Sequence, residues 1–341
     1  MSPFAELYRN ECYKFMSKER EEAEFRDHAE RVRAVQGLLA QDTSGSPDRV
    51  FHAKAHAALL GRLTLRADRP AAVRHGLFSD DAPRHYNVLA RFSNGVGVRA
   101  HDLKPDVRGL ALKIFGAAHA LASSPMRSRC VDWLMTNSPN PFGRDQDEFV
   151  RFMEAHLRPI ALVLFLVKHP SIARRLFSAT LRVVRSLAAE TYWSGHAYLL
   201  GNTSAMKFNV TPTSSAFTGN ISKFDPNYLS KELLARLEHA PVKFSFNVQL
   251  EVSPEQTPIE DSFARWEEAS SPSLPVADLE LTRIAGGIHI ETLRFTPAHF
   301  AASHRPLGNL ARGRLFTYAA SQDGRAASAS EPGESTLFPR N

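Results

Sequence analysis

The sequence predicts an α+β fold built around antiparallel sheet. Short apolar and alternating runs, separated by Gly, Pro and Asp, concentrate in two blocks at residues 50–135 and 205–252. Helical patterns stand before, between and after these blocks. Segregation of this kind argues against a βαβ chain, in which strand and helix would alternate one by one.

In chain order, residues 4–41 are charged, carry apolar positions at helical spacing and contain no Pro or Gly before Gly37, so one or two helices are expected. Asp42-Thr-Ser-Gly-Ser-Pro47 breaks them. Leu63-Thr-Leu-Arg66, Asn87-Val-Leu-Ala-Arg-Phe-Ser93 and Leu110-Ala-Leu-Lys-Ile-Phe115 are the first strands, and Val131-Asp-Trp-Leu-Met135 extends the pattern. Ala205-Met-Lys-Phe-Asn-Val210 and residues 242–252, the latter alternating with period two, form the second block.

Between the blocks, Ile160-Ala-Leu-Val-Leu-Phe-Leu-Val167 is apolar throughout, yet too short to span a bilayer. After Pro170, Ile172, Leu176, Phe177, Leu181, Val184 and Leu187 recur at helical spacing against Arg174, Arg175, Arg182 and Arg185. The plain expectation is a buried helix followed by an amphipathic helix packed on the sheet. The alternative is peripheral membrane contact through 160–187, or an element guarding an apolar channel. From Ala326 onward Ser, Ala, Gly, Glu and Pro predominate, and a flexible tail is expected. The expected organisation is an N-terminal helical arm at 1–48, one core at 49–325 and a tail at 326–341.

Composition narrows the function class. At 341 residues and 43% apolar, the chain can bury a large core. The formal charge of +6 comes from 42 basic against 36 acidic residues without a long basic run, so nucleic acid is not the expected partner. Cys12 and Cys130 match neither a disulfide framework nor a metal knuckle. The N-terminus lacks a basic region followed by an apolar stretch and a cleavage site, which makes the cytoplasm the expected compartment.

Two segments carry chemistry. In Arg314-Leu-Phe-Thr-Tyr318 the arginine and tyrosine lie four apart, on one helical face, where the guanidinium favours an anionic phenol oxygen suited to ferric haem. A core aromatic is the competing reading of Tyr318. In Arg49-Val-Phe-His52-Ala-Lys54 an imidazole stands ready to move protons on the opposite face of such a cofactor. His52 and His56 also form a His-x3-His pair, but no third metal ligand with convincing spacing accompanies it. Ser93-Asn-Gly-Val-Gly97 lacks the third glycine of a dinucleotide fingerprint, and neither a Gly-x-Ser-x-Gly elbow nor a Walker loop is present.

Together and in this order, these segments resemble the catalase family. Arg49–Lys54 is similar to that family's Arg-Val-Val-His-Ala-Lys segment, Ala90-Arg91-Phe-Ser93-Asn94 to its Val-Arg-Phe-Ser-Thr strand, and Asp106-Val-Arg108-Gly109-Leu-Ala-Leu-Lys113 to its Asp-Pro-Arg-Gly-Phe-Ala-Val-Lys strand. Pro258-Ile-Glu-Asp261, Trp266 and 271–277 resemble its stretch after the barrel, and Gly313–Tyr318 with Arg325 its proximal helix. The likeness runs from 49 to 325. It implies a catalase-like antiparallel β-barrel surrounded by helices, with a haem b pocket. It further implies Tyr318 as the iron ligand, Arg314 as its partner, His52 as proton shuttle and Ser93 fixing the His52 tautomer. Arg49, Arg91 and Arg325 would hold the propionates, and Phe149 would stack on the haem.

Departures bear on the activity. Met135-Thr136-Asn137-Ser138-Pro139 aligns with the family's distal Asn-Asn-Thr-Pro stretch so that Thr136 matches the catalytic asparagine and Asn137 the next position. A one-residue shift would bring Asn137 over the iron, so both readings stay open. Phe51 replaces a smaller valine, and the sequence after Tyr318 differs. These features resemble small catalase-related haem proteins, allene oxide synthases among them. The resemblance implies a haem-dependent oxidoreductase that processes hydrogen peroxide or organic hydroperoxides, a catalase or peroxidase in type. A fatty-acid hydroperoxide dehydratase or isomerase is the alternative within enzymes, and a non-catalytic haem carrier the alternative outside them. A homo-oligomer is expected.

Overall fold

The structure, a computed structural model, describes residues 7–41, 49–117, 121, 129–214, 222–325 and 331–339. Its centre is an antiparallel barrel of β1 (Ala55–Leu65), β2 (His85–Asn94), β3 (Arg108–Ile114), β4 (Val131–Thr136), β5 (Tyr192–Trp193), β6 (Tyr198–Leu200), β7 (Ser204–Pro212), β8 (Val242–Leu250) and β9 (Leu274–Ile284). The strand order is β5-β4-β3-β2-β1-β9-β8-β7-β6, and a further β5–β7 pairing closes eight strands into a ring from which β6 hangs. Closure removes the unpaired edges that an open sheet would leave.

Period-two alternation decides what faces inward. Tyr86, Val88, Ala90 and Phe92 of β2, Leu110, Leu112 and Ile114 of β3, and Val131, Trp133 and Met135 of β4 enter one core. There the Trp133 ring lies 4.8 Å from Phe208 and 4.9 Å from Phe246. Full burial of a ring such as Phe246 contributes about 1.5–3 kcal/mol. The intervening residues of β1–β4 are covered as well: Ala58, Leu60 and Leu89 pack with Phe115, Leu293 and Phe295 on the outer face. That outer face carries the site.

Seven helices surround the barrel among the described residues: α1 (Lys18–Gln41), α2 (Gln146–His156), α3 (Pro159–Lys168), α4 (Pro170–Thr180), α5 (Tyr228–His239), α6 (Asn309–Asp323) and α7 (Glu334–Leu337). The Asp145 side chain caps α2 by accepting from Glu148 N–H at 2.8 Å. α3 and α4 each begin on proline, where the missing N–H costs no bond. Gly313 lets α6 approach α2 closely, since a Cβ there would come within 2.4 Å of Gln146 Cγ.

The structure differs from the sequence reading in three places. Strand β9 was hidden by Pro275, which reads as a break but stands near the strand start, beside a bulge. The run 160–167 is a helix, as expected, but it is not buried: Ile160, Val163, Leu164 and Val167 are exposed. Of the expected flexible tail, 326–330 and 340–341 lie outside the described residues, whereas 331–339 pack on the barrel. Leu337 is buried against the Phe115 cluster, and Asn87 Nδ2 donates to Glu334 at 3.0 Å.

Candidate active site

His52 stands just before β1 with φ 60°, in the left-handed region. That conformation costs a residue with a β-carbon roughly 1–2 kcal/mol. It is held by the His52 N–H donating to Gly95 O at 2.8 Å and by Arg91 Nη2 donating to the His52 carbonyl at 2.9 Å. The turn lays the imidazole over β2 and β3, with Nδ1 3.1 Å from Ser93 Oγ. Gly109 makes the room: a Cβ there would stand 2.5 Å from His52 Nδ1 and 2.8 Å from Ser93 Oγ. Burial, followed by the charge of Arg91 and then of Arg314 and Arg49, pushes the imidazole down to about 3. The ring is therefore neutral at ordinary pH.

On α6, Arg314 and Tyr318 are one turn apart. Arg314 Nη2 donates to Tyr318 Oη at 2.9 Å, and its guanidinium lies 5.0 Å from the phenol ring centroid. Burial opposes the Arg314 charge, but the oxygens of Tyr318 and Tyr198 outweigh it and raise the guanidinium above its ordinary value. Arg314 also acts on His52. The Arg314 charge is thus close enough to bear on the imidazole.

The strand register separates Thr136 from Asn137. Ser93 pairs with Gly109, and Gly109 with Thr136, so Ser93, Gly109 and Thr136 form one row across β2, β3 and β4 beneath His52. Asn137 is turned to another task. Its Oδ1 accepts from Arg108 N–H at 2.6 Å and its Nδ2 donates to Glu190 Oε2 at 2.9 Å. Both ends of its amide are thus bonded to protein. Next to it, a cavity of about 130 Å³ is lined by Asn137, Ser138, Pro139, Arg175, Ser178, Ala179 and Arg182.

Three guanidiniums meet one carboxylate at the rim. Glu291 lies 3.6 Å from Arg91, 3.7 Å from Arg99 and 4.0 Å from Arg49. Arg49 also donates to the carbonyls of Glu291 (2.8 Å) and Leu293. Arg325 is buried just past the end of α6, its N–H donating to Gln322 O at 2.9 Å. Phe149 on α2 lies 5.7 Å, ring to ring, from Phe51, so the enlarged residue beside His52 packs against that helix together with Val150 and Met153.

Some site residues carried no sequence signal. Glu291 and Arg99 belong to no motif. His196 and Tyr198 stack at 4.7 Å, and burial followed by Arg314 pushes His196 down to about 3, while burial raises Tyr198. His56 is structural. Its Nε2 lies 2.7 Å from Asn94 Oδ1 and its Nδ1 3.1 Å from Ser230 Oγ, so it forms no chelate with His52.

No family model matches the chain. It is 28% identical over 191 residues to a catalase-related peroxidase of Mycolicibacterium paratuberculosis (strain ATCC BAA-968 / K-10), a match covering 53% of this chain and 58% of the relative. Among solved structures it is similar to a fungal catalase (TM-score 0.68, 19% identity, 84% of this chain and 61% of that one). It is also similar to catalase A from Saccharomyces cerevisiae (TM-score 0.67, 17% identity, 84% and 63%) and to a bacterial catalase (TM-score 0.66, 19% identity, 84% and 59%). The chain thus spans about three fifths of the length of each protein it matches. The fold is the catalase fold.

Proposed function

For a chain with the catalase fold, we propose haem-dependent processing of peroxides, with haem b held between α6 and the outer face of β1–β4. The observation that carries this reading is a pair of devices: a neutral imidazole held by Ser93, and a phenol hydrogen-bonded to a guanidinium whose charge also bears on that imidazole. The residues present fit the group. Tyr318 offers an oxygen donor suited to ferric iron. Arg49, Arg91 and Arg99 already gather a carboxylate, the chemistry that a propionate would claim. Arg325 and Phe149 keep the propionate and stacking roles that the resemblance implies. Haem, when bound, supplies the redox-active iron at which the peroxide O–O bond is cleaved.

His52 takes the proton of the incoming peroxide and returns it to the leaving oxygen, and Ser93 holds the ring for both transfers. Thr136 lends a hydroxyl where an amide is expected, but its Oγ1 already donates to Ser138 O at 3.2 Å. That weakens polar help to a small second peroxide more than a single hydroperoxide event. A fatty-acyl hydroperoxide also gains about 0.8 kcal/mol per buried methylene, which hydrogen peroxide cannot. An organic hydroperoxide is therefore the preferred substrate, with the cytoplasm as the compartment. A haem carrier needs the phenol but not the imidazole, so the His52–Ser93 pair favours an enzyme.

Haemin titration of the purified protein, followed by absorption and desalting, tests the reading. The wild type retains haem with a high-spin ferric spectrum of the tyrosinate type, and Tyr318→Phe loses it. His52→Ala retains haem yet reacts with peroxide at least ~100-fold more slowly, the usual contribution of a positioned acid–base group. A wild-type spectrum in Tyr318→Phe overturns the ligand, and an unchanged rate in His52→Ala overturns the shuttle. Steady-state comparison of linoleate hydroperoxide with hydrogen peroxide decides the substrate. Rapid oxygen release from hydrogen peroxide would overturn the organic preference.

A further inference from the structure

The α3–α4 hairpin is apolar on two sides. Inward, Leu162, Phe165, Leu166, Ile172 and Leu176 pack against Phe142, Phe152 and Phe263. Outward, α3 presents Ile160, Val163, Leu164 and Val167, a stripe at i, i+3, i+4 and i+7 whose members are 58–78% exposed. Phe177, Leu181 and Val183 continue the bare surface along and beyond α4. Because both helices turn their inner sides to the same cluster, their outer stripes face away from the barrel together. Seven of the thirteen large apolar side chains most exposed among the described residues lie in this one segment. Scattered surface apolar residues need no explanation, but a contiguous patch marks a docking surface.

Charge identifies the occupant. Residues 155–189 hold Arg158, Lys168, Arg174, Arg175, Arg182 and Arg185 and contain no acidic residue. Six cations equal the formal charge of the entire chain, so the other 306 residues sum to zero. Arg182 is consumed by Glu190, and Arg175 stacks 3.6 Å over Phe263 while donating to its carbonyl. Arg158, Lys168, Arg174 and Arg185 remain exposed, and among the described residues no carboxylate makes an ion pair with them. A second copy of this chain would bring the same uncompensated cations to the interface, where like charges repel. An anionic partner that also accepts apolar side chains complements both properties.

We propose that the α3–α4 hairpin docks this protein on the surface of an anionic phospholipid bilayer. Ile160, Val163, Leu164 and Val167 enter the headgroup–acyl boundary while the four cations contact lipid phosphates. No helix among the described residues is long and apolar enough to cross a membrane, so the hairpin lies on the surface and does not span it. Arg175, Ser178 and Ala179 of α4 also line the small cavity beside Asn137.

Cosedimentation of the full-length protein, without haem or turnover, tests this against vesicles of phosphatidylcholine alone and vesicles with about one third phosphatidylglycerol. The wild type binds the anionic vesicles at least ~10-fold more tightly, and salt weakens the binding. Val163→Glu with Val167→Glu, and separately Lys168→Gln with Arg174→Gln and Arg185→Gln, each lower that binding ~10-fold or more. All five side chains are exposed, and an unchanged melting temperature confirms that both variants are folded. Equal binding to both vesicle types, or to neither, overturns the proposal. So does a wild type that light scattering shows to be oligomeric and that the Val163/Val167 variant converts to monomer without any vesicle binding; that result would make the hairpin a contact between copies.

Discussion

At the scale of single residues, the fold holds the His52 imidazole neutral. The imidazole is pushed from 6.5 to about 3 by burial and by the charges of Arg91, Arg314 and Arg49. Between those values the unfolded chain binds a proton that the folded chain refuses, so the folded state loses stability as pH falls through that window. His52→Asn removes this contribution. The stability difference, wild type minus variant, should be flat from pH 7 to 8 and decline from about 6.5 downward in urea unfolding measured over pH. A difference that does not change with pH would show that His52 titrates normally. The His52–Ser93 and Arg314–Tyr318 pairs were legible in the sequence because each rests on short-range spacing within an ordered motif. Thr136 and Asn137 were not, because a loop alignment one residue out exchanges the two faces of a strand. The Ser93–Gly109–Thr136 register shows which of the two shares a row with Ser93.

At the scale of elements, the same parity explains what the sequence revealed of the sheet. Strands β2, β3, β4 and β8 were visible because their inward residues alternate without interruption. β9 was not, because Pro275 opens it and Asp278 and Glu280 interrupt the apolar pattern. The unbroken apolar run of α3 signalled burial by composition, whereas only tertiary context shows that one side of it is left bare. The outer face of β3–β4 carries a second buried device. Lys113 Nζ lies 2.8 and 2.9 Å from the Asp132 carboxylate oxygens, and His299 Nδ1 lies 3.0 Å from Oδ2. Burial opposes the Lys113 charge, but Asp132 more than offsets it and raises the ammonium. Asp132→Ala should cost about 3–5 kcal/mol in denaturant unfolding, because it strands a buried ammonium. The joint change Lys113→Met with Asp132→Leu should recover most of that loss. A single-variant cost below about 1 kcal/mol would show the pair to be solvated.

At the scale of the whole molecule, Arg312 joins segments far apart in the chain. Its guanidinium, 1% exposed, donates to Glu11 at 2.8 Å, Glu21 at 2.7 Å and Glu260 at 3.0 Å, and to the Cys12 carbonyl at 3.0 Å. It thereby fixes the N-terminal arm against the helix that bears Tyr318. Burial raises the Glu260 carboxyl even with Arg312 beside it. Arg312→Leu should cost about 3–5 kcal/mol at neutral pH, because carboxylates are left buried without a cation. Those carboxyls would then bind protons more tightly folded than unfolded, so the variant should regain stability as pH falls from 7 toward 5. A variant whose urea midpoint does not rise over that range would show that the carboxylates had found water instead. The arm, core and tail outlined from composition missed this connection, since no local pattern reports a partner 301 positions away. That separation also sets a timetable for synthesis. Glu11 leaves the ribosome roughly 15–60 s before Arg312 at ordinary elongation rates of ~5–20 residues per second. For that interval the nascent chain can close strands of its barrel, but its first helix lacks the Arg312 cation and α6 does not yet exist. Tyr318 follows Arg312 by six residues, so any cofactor it holds joins only after the barrel strands have left the ribosome.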